Sequence, residues 1–134
     1  MKADYDKLTQ QYSSWGDKLL QHTDVLYSIQ NNRIFKPINI QLAPTEICDS
    51  DCPFCSVAGR PLKSVMPFDK IEKCLRDFKY LGAKAIEITG GGNPILYKYQ
   101  DKNINNIIEC AYKTGYDIGI ITNSHSLKKI NKEH

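Results

Sequence analysis

Nowhere in these 134 residues does an apolar run reach the length that spans a bilayer, and the start, Met1-Lys-Ala-Asp-Tyr-Asp, has no hydrophobic leader. No membrane partner is indicated, and a cytoplasmic protein is expected. Charge of one sign is also scarce: 18 Lys and Arg are scattered among 15 Asp and Glu, leaving a net +3. A balance so small gives no electrostatic reason to expect nucleic acid. The cysteines are five, an odd number, with three of them clustered, which suits a reducing compartment better than a disulfide framework. With 41% hydrophobic residues the chain supports one core domain of modest size.

What is there is concentrated in Cys48-Asp-Ser-Asp-Cys52-Pro-Phe-Cys55, a Cys-x3-Cys-x2-Cys run that follows a short β-branched stretch from Pro37 to Leu42. Thiolates at this spacing can converge on one centre, because a few residues of turning backbone reach around a zinc ion or a small cluster. Structural zinc wants four ligands. Cys74, Cys110, His22, His125 and His134 are available, but none stands at the short spacing of a zinc knuckle or ribbon. An iron-sulfur cluster on three thiolates leaves one iron open, and a small molecule carrying an amine and a carboxylate can chelate it.

At this point the sequence resembles the radical S-adenosylmethionine (radical SAM) superfamily, whose cluster loop reads Cys-x3-Cys-x-aromatic-Cys. Cys48, Cys52, Phe54 and Cys55 match that pattern. The resemblance implies a [4Fe-4S] cluster on the three cysteines, SAM on the fourth iron, and Phe54 packed near the adenine. Further along, Gly91-Gly92-Asn93-Pro94, preceded by Gly90, is similar to the family's Gly-Gly-Glu-Pro segment, whose backbone binds the SAM amino group; Asn93 stands where the acid is usual. Thr122-Asn123-Ser124 is similar to a Thr-Asn-Gly, with Ser124 departing from it. Thr122 and Asn123 thus join the implied cofactor contacts. The match runs from Pro37 to Ser124.

The rest of the chain reads as helices and strands around those motifs. Leu8, Tyr12, Trp15, Leu19, His22, Leu26 and Ile29 recur at alternating steps of four and three, predicting one amphipathic helix from Tyr5 to about Asn31, with His22 as a hydrogen-bonded packing residue. Pro37–Leu42 alternates as a first strand, and its C-terminal end is where parallel α/β sheets bind ligands. Pro67 opens a helix with Ile71, Cys74, Leu75, Phe78 and Leu81 inward and Gly82 as its stop. Cys74 on that stripe is expected to be a small buried hydrophobe. In the loop before this helix, Arg60 and Lys63 offer charge for a cofactor carboxylate, with an ordinary solvated loop as the competing reading.

Residues 85–89 form a second strand and run into the three glycines, which remove side chains where backbone approaches something closely. An irregular segment from Tyr97 to Asp101 precedes a helix from about Asn103 to Thr114, with Ile104, Ile107, Ile108 and Ala111 inward, Cys110 inert beside them and Gly115 as the stop. Residues 116–122 form a third strand. The expected architecture is therefore α/β: a partial TIM-like (β/α) barrel of about three parallel strands with helices (residues 37–134), preceded by an N-terminal helical extension (residues 1–36). A (β/α) unit takes about 30 residues, so three units suggest the first half of the family's core. A second chain or copy is then expected to complete it.

The functional expectation is reductive cleavage of SAM to a 5′-deoxyadenosyl radical, with a reductant such as flavodoxin or ferredoxin and an unknown substrate. Because the core reads as incomplete, whether the chain is an enzyme by itself is open. The alternative is a non-catalytic remnant that holds a cluster, or zinc on the same thiols, and acts through association. Neither Glu46 nor His125 has a sequence neighbour that marks it as a general acid or base.

Overall fold

The computed structural model describes residues 20–59, 63–123 and 127–130. The chain divides into two compact units, Met1–Lys36 and Pro37–His134.

In the first unit the described helix is α1 (Thr23–Gln30). The continuous helix expected from Tyr5 to Asn31 is interrupted: His22 is the N-cap, at φ −122° and ψ 62°, and its carbonyl accepts from Val25 N (3.0 Å) and Leu26 N (3.1 Å). Thr23-Asp24 explains the restart, since a β-branched residue resists the helix interior and an acid in the first turn complements the helix dipole. His22 thus stands at the N-cap position, with no capping bond from its side chain, and Val25 is the buried residue of α1. Leu8, Tyr12, Trp15 and Leu19 lie outside the described residues.

The second unit is built on three short parallel strands, β1 (Asn39–Leu42), β2 (Ala85–Ile88) and β5 (Asp117–Ile120), in the order β1-β2-β5. Their registers align Ile40, Ile86 and Ile118, then Leu42, Ile88 and Ile120, so period-two alternation gathers six aliphatic side chains on one face. Helices α2 (Phe68–Tyr80) and α3 (Ile104–Lys113) contribute Ile71, Leu75, Ile104, Ile107, Ile108 and Ala111 to the same core. The opposite face aligns Gln41, Glu87 and Gly119, and Gln41 Nε2 donates to Glu87 Oε1 at 2.7 Å. The architecture is α/β with a partial, open sheet of parallel strands; among the described residues no closed barrel forms.

Both helices stop as the glycines require. Gly82 (φ +107°) donates to Lys79 O at 2.9 Å while Ala83 N donates to Phe78 O at 3.0 Å. Gly115 (φ +84°) and Tyr116 repeat the pattern onto Tyr112 O and Ala111 O. Paired bonds of this kind satisfy the last helical carbonyls and turn the chain straight into the next strand. Two expectations at α2 need correction: Phe78 and Leu81 are exposed, and the buried residues of the helix are Ile71 and Leu75. The segment after Tyr97 is also more regular than its composition suggests. It is a small antiparallel hairpin, β3 (Lys98–Tyr99) with β4 (Lys102–Asn103), whose turn places Gln100 at φ +54°.

Candidate metal centre

The C-terminal ends of the three parallel strands release three loops on the same edge of the sheet. The first, from Ala43 to Cys55, is clamped on both sides at its base. On one side Met66 N donates to Pro44 O (2.9 Å) and Glu46 N to Ser64 O (2.8 Å); on the other Gly92 N donates to Thr45 O (3.1 Å) and Asn93 N to Ile47 O (2.8 Å). The buried Thr45 hydroxyl closes the turn, accepting from Ile47 N at 3.1 Å and donating to Ser64 O at 3.3 Å. The backbone leading into Cys48 is thereby fixed before the first thiol is reached.

This docking explains Gly92. A Cβ there would stand 2.2 Å from Ile47 O and 2.5 Å from Glu46 C and O, all backbone atoms with no room to yield. At Gly90 a Cβ would meet Gly92 O at 2.6 Å. These two glycines therefore serve a close approach, and what they approach is the chain's own backbone, at Gly92 that of the cysteine loop.

Asn93, 1% exposed, joins the three loops. Its Oδ1 accepts from Ile95 N (3.1 Å), capping the short 3-10 turn Pro94–Leu96, and from Thr122 Oγ1 (2.9 Å) just beyond β5. Its Nδ2 donates to Asp49 Oδ1 (2.9 Å), inside the cysteine loop. Asn123 Nδ2 adds a second tie to that loop, donating to Ser50 Oγ at 3.2 Å. The structure so brings together Asn93, Thr122 and Asn123 with Asp49 and Ser50. Sequence reasoning passed over these last two as spacers between cysteines, although their short polar side chains are the available clue.

Cys48 and Cys52 are half-buried, Cys55 is exposed, and none is in a disulfide. Cys55 N donates to Cys52 O (3.0 Å) and Ala58 N to Cys55 O (3.2 Å), so the end of the loop is a run of tight turns. Among the described residues no three His, Cys, Asp or Glu side chains are gathered closely enough to hold a metal ion. The donor set itself fits a thiophilic cluster: three uncrosslinked thiols lie on eight residues of one anchored loop. Phe54 is 86% exposed on the tip of that loop.

The other thiols stand apart from this loop in the helices. Cys74 is half-buried on α2, and Cys110 on α3 packs against the core. Burial, then the Glu72 carboxylate, pushes the Cys110 thiol up from its ordinary value and keeps it protonated. Lys63 is exposed. Arg60, Ser124, His125 and His134 lie outside the described residues.

Residues 42–134 match the family model of the Radical SAM superfamily, and the chain belongs to that superfamily. No curated protein matches it. Among solved structures it is similar in fold to Streptococcus suis SuiB, a structure described as bound to precursor peptide SuiA, with a TM-score of 0.61 and 24% identity. That likeness covers 83% of this chain and 24% of SuiB, so the chain spans about a quarter of the neighbour's length. Among the described residues no helix is long and apolar enough to cross a membrane.

Proposed function

We propose that Cys48, Cys52 and Cys55 hold a [4Fe-4S] cluster with one open iron, and that SAM occupies that iron beside the loops after β2 and β5. The observation that carries this reading is the three-way docking of the cysteine loop, Gly92-Asn93 and Thr122-Asn123 on one sheet edge. Such a cluster, held by the three cysteines and reduced, would supply the one electron that breaks the S–C5′ bond of SAM, with methionine as the leaving group and hydrogen-atom abstraction from substrate as the resulting chemistry. The chain's own residues bind and orient. Thr45, Ser64 and Asn93 anchor the loop base, Gly91 keeps a side chain away from the SAM amino group, and Phe54 covers the adenine once the tip closes around the metal. Closure of that tip is metal-coupled folding of the kind small thiolate sites commonly undergo.

A peptide is the first substrate class to test, because the structurally similar SuiB is described with a precursor peptide. A flavodoxin or ferredoxin supplies the electron, and a reducing cytoplasm suits five cysteines that are all free. A further chain, or a second copy, is the proposed partner for the edge of β5, which is an edge of the sheet among the described residues.

The direct test is anaerobic reconstitution with iron and sulfide followed by SAM-binding calorimetry. Binding that requires the cluster supports the reading, and a Gly91→Val variant should lose affinity for SAM while retaining iron. A chain that takes one zinc, refuses iron and ignores SAM is the non-catalytic association module instead.

A further inference from the structure

Asn93 offers one amide, and the surrounding atoms settle which way it faces. Ile95 N–H, a backbone donor beneath a buried side chain, requires an oxygen at 3.1 Å, and the Thr122 hydroxyl donates to that same oxygen at 2.9 Å. The NH2 group is therefore turned toward the Asp49 carboxylate at 2.9 Å. A carboxylate at position 93 would satisfy Ile95 and Thr122 equally well but would set its second oxygen against Asp49, acceptor to acceptor.

We infer that Asn93 and Asp49 form a reciprocal donor and acceptor pair in which only one of the two positions can carry a carboxylate, and that Asn93 is a positioning residue for the metal-binding loop. The pair has consequences for the thiols because Asp49 directly follows Cys48 in a loop whose base is already pinned. Holding the Asp49 side chain fixes the direction in which the loop leaves Cys48. Thr122, just beyond β5, acts through the same amide oxygen, so the segment leaving the strand farthest from β1 in the sheet also bears on the first cysteine. The Asn93 side chain is thus spent on Asp49, Ile95 and Thr122, and what the Gly91-Gly92-Asn93 segment offers a cofactor comes from its backbone.

This inference deepens the proposed cluster site and rests on a metal being bound there. The test compares the parent chain with Asn93→Asp, Asp49→Asn and the double swap carrying both. Two quantities are read: the urea midpoint of the reduced, metal-free chain, and the half-time of iron loss to a chelator after reconstitution. Asn93→Asp should shorten that half-time by about tenfold or more, since a part-buried polar contact is both lost and made repulsive. Asp49→Asn should be mild, because its amide oxygen still accepts from Asn93. The double swap, in which the new amide at position 49 donates to the new carboxylate at position 93, should return to within about threefold of the parent.

An Asn93→Asp chain that holds iron as long as the parent overturns the inference, and so does a swap no better than that single variant. A swap that recovers the urea midpoint but not the half-time also overturns it, by reducing the pair to a fold contact. If the parent takes zinc and refuses iron, the proposed function fails separately, and zinc release then gives the same four-way comparison.

Discussion

Gly92 is the residue whose identity the fold enforces most plainly. Any side chain there enters the backbone of residues 46 and 47, so Gly92→Ala should destabilise the chain by about 1–3 kcal/mol, the usual range for overpacking against atoms that cannot move. A urea titration of the metal-free chain measures it; an unchanged midpoint would show that the loops are not docked as described. Read from sequence, the glycine run signals close backbone approach and suggests a cofactor as the thing approached. The structure keeps the approach and, at Gly90 and Gly92, substitutes the chain itself. Asn93 was legible only as a departure from an acid. Its partner Asp49 lies 44 residues away, and no local pattern announces a pairing made solely by tertiary folding.

Among the elements, those with punctuation were readable and those without it were not. The period-two isoleucines of the strands, the inward face of α3 and the stops at Gly82 and Gly115 all follow from local chemistry that tertiary packing reinforces. The hairpin at Lys98–Asn103 was missed because its turn uses Gln100 at positive φ, with no glycine or Asn-Gly to signal it. The break before α1 was missed because the four-and-three spacing runs through His22 without a gap.

Two buried tyrosines also bind elements together. Tyr97 donates from its hydroxyl to Met66 O (2.9 Å), tying the turn after Asn93 to the segment beyond the cysteine loop, and Tyr116 donates to Leu75 O (2.7 Å), tying the entry to β5 to α2. Burial raises both phenols, Tyr97 from the ordinary 10.0 to about 12, with Tyr99 and Asp69 adding to it. The folded state thus holds these protons more tightly than the unfolded chain does. The Tyr97 contribution is intact below pH 10.0 and drains as pH climbs toward about 12, and that of Tyr116 is likewise lost as pH rises through its raised range. Urea midpoints across that range should fall more steeply for the parent than for Tyr97→Phe/Tyr116→Phe; equal slopes would contradict the assignment.

For the molecule as a whole, the three-stranded sheet leaves β1 and β5 as its edges among the described residues, and the helices supply one face only. What this unit completes within itself is the anchoring of one cysteine loop by two others, so the proposed centre depends on those thiols acting as a set. The decisive measurement is iron and sulfide per chain after anaerobic reconstitution of the parent and of five single Cys→Ala variants. The parent should carry roughly four of each. Cys48→Ala, Cys52→Ala and Cys55→Ala should each lose the cluster, while Cys74→Ala and Cys110→Ala, altered in the helices away from that loop, should keep it. Loss in Cys74→Ala or Cys110→Ala as complete as in Cys52→Ala, or a parent that binds a single zinc and no iron, would contradict the three-thiolate centre.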